Sequence, residues 1–268
     1  MSATVSSAPQ PQAQVHPLHA VWRLCRVLLL MGQGWAIIRW RFPGWSATRR
    51  QQRVQAWSRQ MLSAMGIAWA PEGEPPTQGP LLIVANHISW LDILVMNAAA
   101  PAHFVSKADV KHWPMLGLLI AGAGTLFIER ESRRDAMRVV HDMAEHLQTG
   151  DILAVFPEGT TSDGTALLPF HANLFQAAIA VQAPVLPVAL MYRDAATGQR
   201  SHAPVYVGDT TLLASVWQTL RSRGLVAQVC YGEAHEANGR DRRAWAAQAQ
   251  AYVAELMADA DHRAASHL

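Results

Sequence analysis

The run Leu81-Leu82-Ile83-Val84-Ala85 is apolar at every position and is followed at once by Asn86-His87-Ile88-Ser89-Trp90-Leu91-Asp92. The run reads as a buried strand, so the chain needs other elements to cover it. The strand ends in a histidine, with a carboxylate five positions later. Neutral imidazole is the side chain best suited to remove a proton near pH 7. A neighbouring aspartate can hold the ring in one tautomer and stabilise the imidazolium that forms. A regular helix would place positions five apart about 140° around its axis. The two side chains therefore meet only if His87 sits in the turn before a helix and Asp92 in its first turns. Taken alone, the same spacing also describes a surface histidine near a helix cap.

Further short apolar runs alternate with helical patterns, which gives an α/β class, a central mixed sheet flanked by helices. Strands are predicted at 81–85, 103–106, 125–128, 152–156, 185–190 and 226–231. Helices are predicted at 90–99, 111–122, 132–148, 173–182, 210–222 and 240–258. The 268 residues suit one such domain with an added segment. Residues 1–17, rich in Ser, Ala, Pro and Gln, read as disordered. Residues 18–70 read as a helical arm, 71–235 as the main domain and 236–268 as a last helix that frays into a polar tail. The Pro- and Gly-containing stretch 71–80 reads as the linker between arm and domain.

Half of the residues are hydrophobic and 16% are charged, and the net charge of +2 gives no argument for nucleic acid. Basic charge is local: Arg39, Arg41, Arg49, Arg50, Arg53 and Arg59 alternate with Trp40, Trp45 and Trp57. The uncharged run Val27 to Ile38 would reach about 18 Å as a helix, short of a hydrocarbon core of about 30 Å. It spans a bilayer only if Arg23 and Arg26 snorkel. Its Arg and Trp flanks suggest a segment lying in one leaflet. A second, amphipathic helix is expected over 46–65. Cys25 and Cys230 are far apart and form neither a disulfide framework nor a metal spacing.

Three more segments end predicted strands. Gly124-Thr125-Leu126-Phe127-Ile128-Glu129-Arg130 brings an arginine, a planar donor fork suited to phosphate, to the sheet edge. Phe156-Pro157-Glu158-Gly159-Thr160-Thr161 is a tight turn with small hydroxyl residues and a carboxylate. Ala183-Pro184-Val185-Leu186-Pro187-Val188 carries two prolines, the mark of an edge or irregular strand. A serine hydrolase would need a Gly-x-Ser-x-Gly elbow, which is absent, although Ser89 lies between His87 and Asp92. His141-Asp142-Met143-Ala144-Glu145-His146 matches no zinc-helix spacing and reads as a solvated helix face.

His-x4-Asp, Gly-x-x-Phe-Ile-x-Arg, Phe-Pro-Glu-Gly-Thr and a proline-containing apolar strand occur here in that order. Together they resemble the glycerolipid acyltransferases of the bacterial 1-acylglycerol-3-phosphate type, over about residues 75–235. The resemblance implies transfer of a fatty acyl group from acyl carrier protein or coenzyme A to a lysolipid hydroxyl. It implies His87 as general base, Asp92 as its orienting partner, and direct attack with no acyl-enzyme. Arg130 would bind an acceptor phosphate, Glu158 and Gly159 would shape the acceptor site, Thr160 would add a hydroxyl, and Lys107 would face the head group. Residues 18–65 resemble the family's two-helix membrane-docking element. No metal or organic cofactor is implied. Membrane lipids and the acyl carrier are the expected partners, at the cytoplasmic face of an inner membrane.

Two departures bear on the acceptor. Thr161 stands where the family's third block usually has arginine, and Phe170-His171-Ala172-Asn173 replaces a lysine-containing segment. Both resemble the lyso-ornithine lipid acyltransferase branch, so Thr161, His171 and Asn173 are candidates for acceptor specificity. A lipid-binding membrane protein without chemistry is the rival of another class, although a pure binder has no need of His87 and Asp92. Trp113, Pro114, Met115, Leu116, Leu118 and Leu119 are candidates for an apolar acyl groove or ordinary core.

Overall fold

The computed structural model describes residues 13–107, 116–128 and 133–266. Among these residues, seven strands form one sheet: β1 (Ala68–Glu72), β2 (Leu81–Ala85), β3 (His103–Lys107), β4 (Leu126–Ile128), β5 (Ile152–Val155), β6 (Val185–Asp194) and β7 (Leu225–Tyr231). Their order is β1-β7-β6-β2-β5-β3-β4. β2 lies between β5 and β6, parallel to both, and all five of its residues are buried. That central place is why its sequence is apolar throughout. β3 and β4 continue the parallel set, whereas β7 runs antiparallel to β6. The C-terminal ends of β2 to β6 therefore share one edge of the sheet, where ligand sites of such sheets form.

Among the described residues, eight α-helices cover the sheet: α1 (Pro17–Trp40), α2 (Ala47–Met65), α3 (Asp92–Ala99), α4 (Leu116–Gly122), α5 (Arg133–Gln148), α6 (Phe175–Val181), α7 (Leu212–Arg221) and α8 (Arg242–Ser266). Alternate strand residues divide between two cores. Leu81, Ile83, Leu190 and Tyr192 join Met61, Leu62 and Val95 of α2 and α3. Leu82, Val84, Ala189 and Met191 join Met143, Phe175 and Trp245 of α5, α6 and α8. The period of two along each strand produces the three layers.

The structure departs from the sequence expectations at several places. β1 occupies the junction taken for arm and linker. It is short and carries Pro71, which an edge strand tolerates because one side of it needs no ladder. β6, expected at an edge, lies inside the sheet. The Pro187 carbonyl accepts from Gly232 just past the end of β7, so the missing proline N–H falls where that ladder has ended. Residues 13–16 are ordered by pairing: Gln14 bridges Ser222, Val15 donates to the Arg221 carbonyl, and Arg223 donates to that of Ala13. Residues 1–12 lie outside the described residues. α8 continues to Ser266 instead of fraying after 258. Asp261 near its end binds Arg193 at 2.8 Å and Arg200 at 2.6 Å.

The arm packs on the domain. Arg23 does not snorkel: it is buried and donates to the carbonyls of Leu220 (2.9 Å) and Ser222 (2.8 Å), capping the end of α7. Gly34 of α1 passes close to Trp57 and Leu119, where a Cβ would meet the Trp57 ring nitrogen at 2.9 Å. α1 is the helix among the described residues that is long and apolar enough to cross a membrane. Its outer side exposes Leu18, Trp22, Leu28, Leu29 and Trp40.

Candidate active site

β2 stops at Ala85, and the next side chain replaces the sheet ladder. Buried Asn86 donates to the Leu190 carbonyl (2.9 Å) and accepts from the Leu190 N–H (2.7 Å). That clip fixes the chain where it leaves the sheet. His87 then lies in the turn, and Asp92 is the first residue of α3. The pair converges as its spacing requires: His87 Nδ1 is 2.7 Å from Asp92 Oδ2. The same oxygen accepts from the N–H groups of Ile88 (2.7 Å) and Ser89 (2.9 Å). Asp92 is fully buried, and an anion at a helix N-terminus is favoured there. Its other oxygen accepts from the Tyr192 hydroxyl at 2.7 Å.

Asp92 can only accept as a carboxylate, so Nδ1 carries the proton and Nε2 presents a lone pair. Nε2 has no partner among the described residues. The ring is stacked on Phe156, with centroids 4.1 Å apart and planes 8° from parallel. About a fifth of the His87 side chain is exposed. An imidazole so held has one open nitrogen at the C-terminal edge of the sheet. It is arranged as a base.

The turn after β5 grips the histidine from below. Gly159 adopts a positive φ of 72°, which glycine accommodates without strain, and so reverses the chain just after Glu158. Glu158 is buried. Its carboxylate accepts from the backbone N–H of His87 (2.8 Å) and of Leu168 (2.9 Å). Burial raises its pKa, with those two hydrogen bonds opposing. Glu158 thus holds the backbone of the histidine turn. Ser162 N–H donates to the His87 carbonyl at 2.8 Å, and Tyr206 N–H to that of Ile88 at 3.1 Å. Thr161 donates its hydroxyl to the Tyr206 carbonyl and so ties two loops together.

The remaining sequence candidates divide. Lys107 ends β3 at the same sheet edge. Arg130 lies outside the described residues. Thr160 is exposed, as are His171 and Asn173 before α6. His171 N–H donates to the Pro157 carbonyl at 2.8 Å, which keeps its segment beside the Glu158 turn. Ser89 is buried, and its hydroxyl accepts from the Leu91 N–H at 3.2 Å, so it is built as a cap for the turn. His141 pairs with Glu145 on an exposed face of α5, and His146 with Asp151. No metal cluster occurs among the described residues. Sequence reasoning missed Tyr192 and the part played by Phe156. Asn86 could have been suspected, as an amide set directly after a buried strand.

An apolar cavity of about 360 Å³ lies between α1, α2, α3, α4 and α7. Trp90, Ile93 and Leu94, which immediately follow the histidine turn, form one wall. Of the six groove candidates, Leu119 lines it, while 113–115 lie outside the described residues. The Trp90 indole donates to Ser215 of α7 at 3.0 Å and so ties that wall to α7.

The model of the family described as "Acyltransferase" matches residues 59–191. A 1-acyl-sn-glycerol-3-phosphate acyltransferase of Neisseria gonorrhoeae is 39% identical over 223 residues, covering 81% of this chain and 86% of that one. A lyso-ornithine lipid O-acyltransferase of Pseudomonas aeruginosa is 38% identical over 242 residues, covering 88% and 92%. The crystal structure of the 1-acyl-sn-glycerophosphate acyltransferase of Thermotoga maritima superposes with a TM-score of 0.61 at 19% identity, over 87% of this chain and 97% of that one. The sequence relatives establish the family and the last comparison the fold: this chain belongs to the acyltransferases.

Proposed function

We propose that the chain transfers a fatty acyl group from an acyl thioester, on acyl carrier protein or coenzyme A, to the free hydroxyl of a lysolipid. The first acceptor proposed is 1-acyl-sn-glycerol-3-phosphate, giving phosphatidic acid. The observation that carries this is the open Nε2 of His87 on a ring fixed by Asp92, in a turn that leads directly into Trp90, Ile93 and Leu94 of the apolar cavity wall. His87 takes the hydroxyl proton as the oxygen attacks the thioester carbonyl. The C–S bond breaks, and the thiolate leaves with the proton from the imidazolium. Arg130 and Lys107 supply positive charge for the acceptor phosphate. Glu158 and Asp92 keep the turn in place, and no metal or organic cofactor takes part.

The cavity volume falls in the range of ligand sites, about 300–1,000 Å³, and its lining suits an acyl chain. Leu94→Trp is expected to shift donor preference toward shorter acyl chains. Rates across a series of thioesters check this, and an unchanged length profile removes the cavity from the account.

α1 docks in one leaflet at the cytoplasmic face of an inner membrane. A spanning helix carries its ends to opposite sides of the bilayer. Here the residues before α1 pair with 221–223, and Ile38 near its other end packs on Gly122 of α4, so both ends rest on one domain. The exposed Leu and Trp side chains supply the lipid-facing surface.

A second reading, an ornithine-lipid acceptor, is favoured by one observation: Thr161 ties loops together where the family's arginine would bring charge. The experiment is acyl transfer by purified, vesicle-reconstituted protein, with lysophosphatidic acid and lyso-ornithine lipid offered in parallel. Preference for lysophosphatidic acid supports the first reading, and preference for the other lipid the second. Transfer to neither refutes both. Thr161→Arg is expected to raise the ratio of phosphate to ornithine acceptor use, and an unchanged ratio removes Thr161 from the specificity argument.

A further inference from the structure

Asp92 is held by four donors, and one of them is far away in sequence. His87, Ile88 and Ser89 all bond Oδ2, while Oδ1 takes the Tyr192 hydroxyl. Asp92 and Tyr192 are both buried, so bulk water does not reach Oδ1 to replace that donor. An unpaired anionic oxygen in such a place is unfavourable, and the carboxylate would turn or shift to relieve it.

The fold brings this hydroxyl to the site deliberately. β2 pairs with β6 as far as Ala85 opposite Val188, but β6 continues to Asp194. That extension runs alongside the histidine turn. Asn86 clips both backbone groups of Leu190, and Tyr192 follows two positions later on the same face of the strand. Tyr192 is also paired opposite Ala227 in β7, and its carbonyl accepts from Ser201 N–H at 2.7 Å. The hydroxyl is thus mounted on the rigid part of the sheet.

We propose that Tyr192 is a positioning residue for acyl transfer: its hydroxyl saturates the carboxylate oxygen that does not face His87, and so fixes Asp92, and through it the imidazole, in the reactive orientation. Burial, and then the charge of Asp92, push the phenol well above its ordinary pKa, so it remains a donor at working pH. The titratable groups around Asp92 are His87, Glu158 and Tyr192. Of these only Tyr192 supplies a proton to Oδ1. The inference rests on His87 as the base.

The test is Tyr192→Phe in the full chain, reconstituted in vesicles with an acyl thioester and lysophosphatidic acid. The ring stays and only the hydroxyl goes. kcat is expected to fall between about 10- and 100-fold, as when outer partners that orient a histidine are removed. KM for either substrate stays within about twofold, and vesicle binding is unchanged. In an Asp92→Asn background the same change costs less than about twofold more, because the partner it acts through is already altered. Para-aminophenylalanine at position 192 puts a weaker donor in the same place and keeps the test open if Tyr192→Phe does not fold. Its kcat is expected severalfold below wild type at unchanged KM. A wild-type kcat in either variant overturns the proposal, as does an equal loss with and without Asp92. Wild-type protein that transfers no acyl group would instead overturn the base assignment itself.

Discussion

His87→Ala will reduce acyl transfer by on the order of 10²–10⁴-fold, the usual contribution of a positioned general base. The imidazole is the group with an open nitrogen at this point, and alanine leaves only water to take the hydroxyl proton. The protein should remain folded, because the turn does not depend on the ring. Its backbone is held by Glu158 on the His87 N–H and by Ser162 on the His87 carbonyl. Vesicle binding, proposed above for the arm, should be unchanged. The check is kcat with sedimentation on lysolipid-containing vesicles in the same preparation. A variant that keeps most of its turnover would show that proton removal by His87 is not the mechanism.

Asp92→Asn will have an effect of similar size on turnover, and it will also weaken the fold. Asp92 accepts at both oxygens from four donors. Asparagine keeps one accepting oxygen and replaces the other with a donor. Turned one way, its NH₂ donates to the Tyr192 oxygen and leaves the phenol proton without its acceptor; turned the other way, it meets the cluster of N–H groups around His87. Either arrangement leaves a buried donor unpaired, which costs about 1–3 kcal/mol. The histidine also loses the charge that stabilises its protonated form and the contact that fixes its tautomer. In a comparable arrangement, Asp→Asn beside a catalytic histidine lowers kcat about 10⁴-fold. Here the expected loss is on the order of 10³–10⁴-fold, with a lower melting temperature. A normal melting temperature with near-normal kcat would remove Asp92 from the account.

The parts of this protein that could be read in sequence are those whose cause is local. β2 announces itself because it is buried on both faces, and the histidine turn because it follows directly. The same holds for β3, β5 and β7, and for α5 with its strong division of faces. β1 was hidden because it is short, carries a proline and depends on β7 for its pairing. β6 was placed at an edge because prolines in a strand normally exclude an interior position. The exception depends on where β7 stops, and that is a tertiary fact.

The site follows the same division. His87 and Asp92 are five positions apart, so helix geometry states how they can meet, and the linked motifs of the resemblance single them out as a pair. Tyr192 is a hundred positions from Asp92, inside an apolar strand where a tyrosine reads as core. The polar turn read as the lining of a pocket, and the resemblance implied that Glu158 shapes the acceptor site. Which way its carboxylate points depends on the reversal at Gly159 and on the unpaired N–H of a turn from another strand. The ends of α1 could not be placed from hydropathy, since the partners of residues 13–16 and of Arg23 lie some two hundred positions away.

The central claim is that His87 activates the lysolipid hydroxyl for direct attack on the thioester. The most direct test is the intact mass of the vesicle-bound wild-type protein after mixing with an acyl thioester, first without and then with lysolipid. The account predicts an unmodified protein mass at every stage, with acylated lipid and free thiol appearing together only once the lysolipid is added. A protein mass raised by one acyl group, lost again as acylated lipid forms, would contradict it and identify a covalent acyl-enzyme instead.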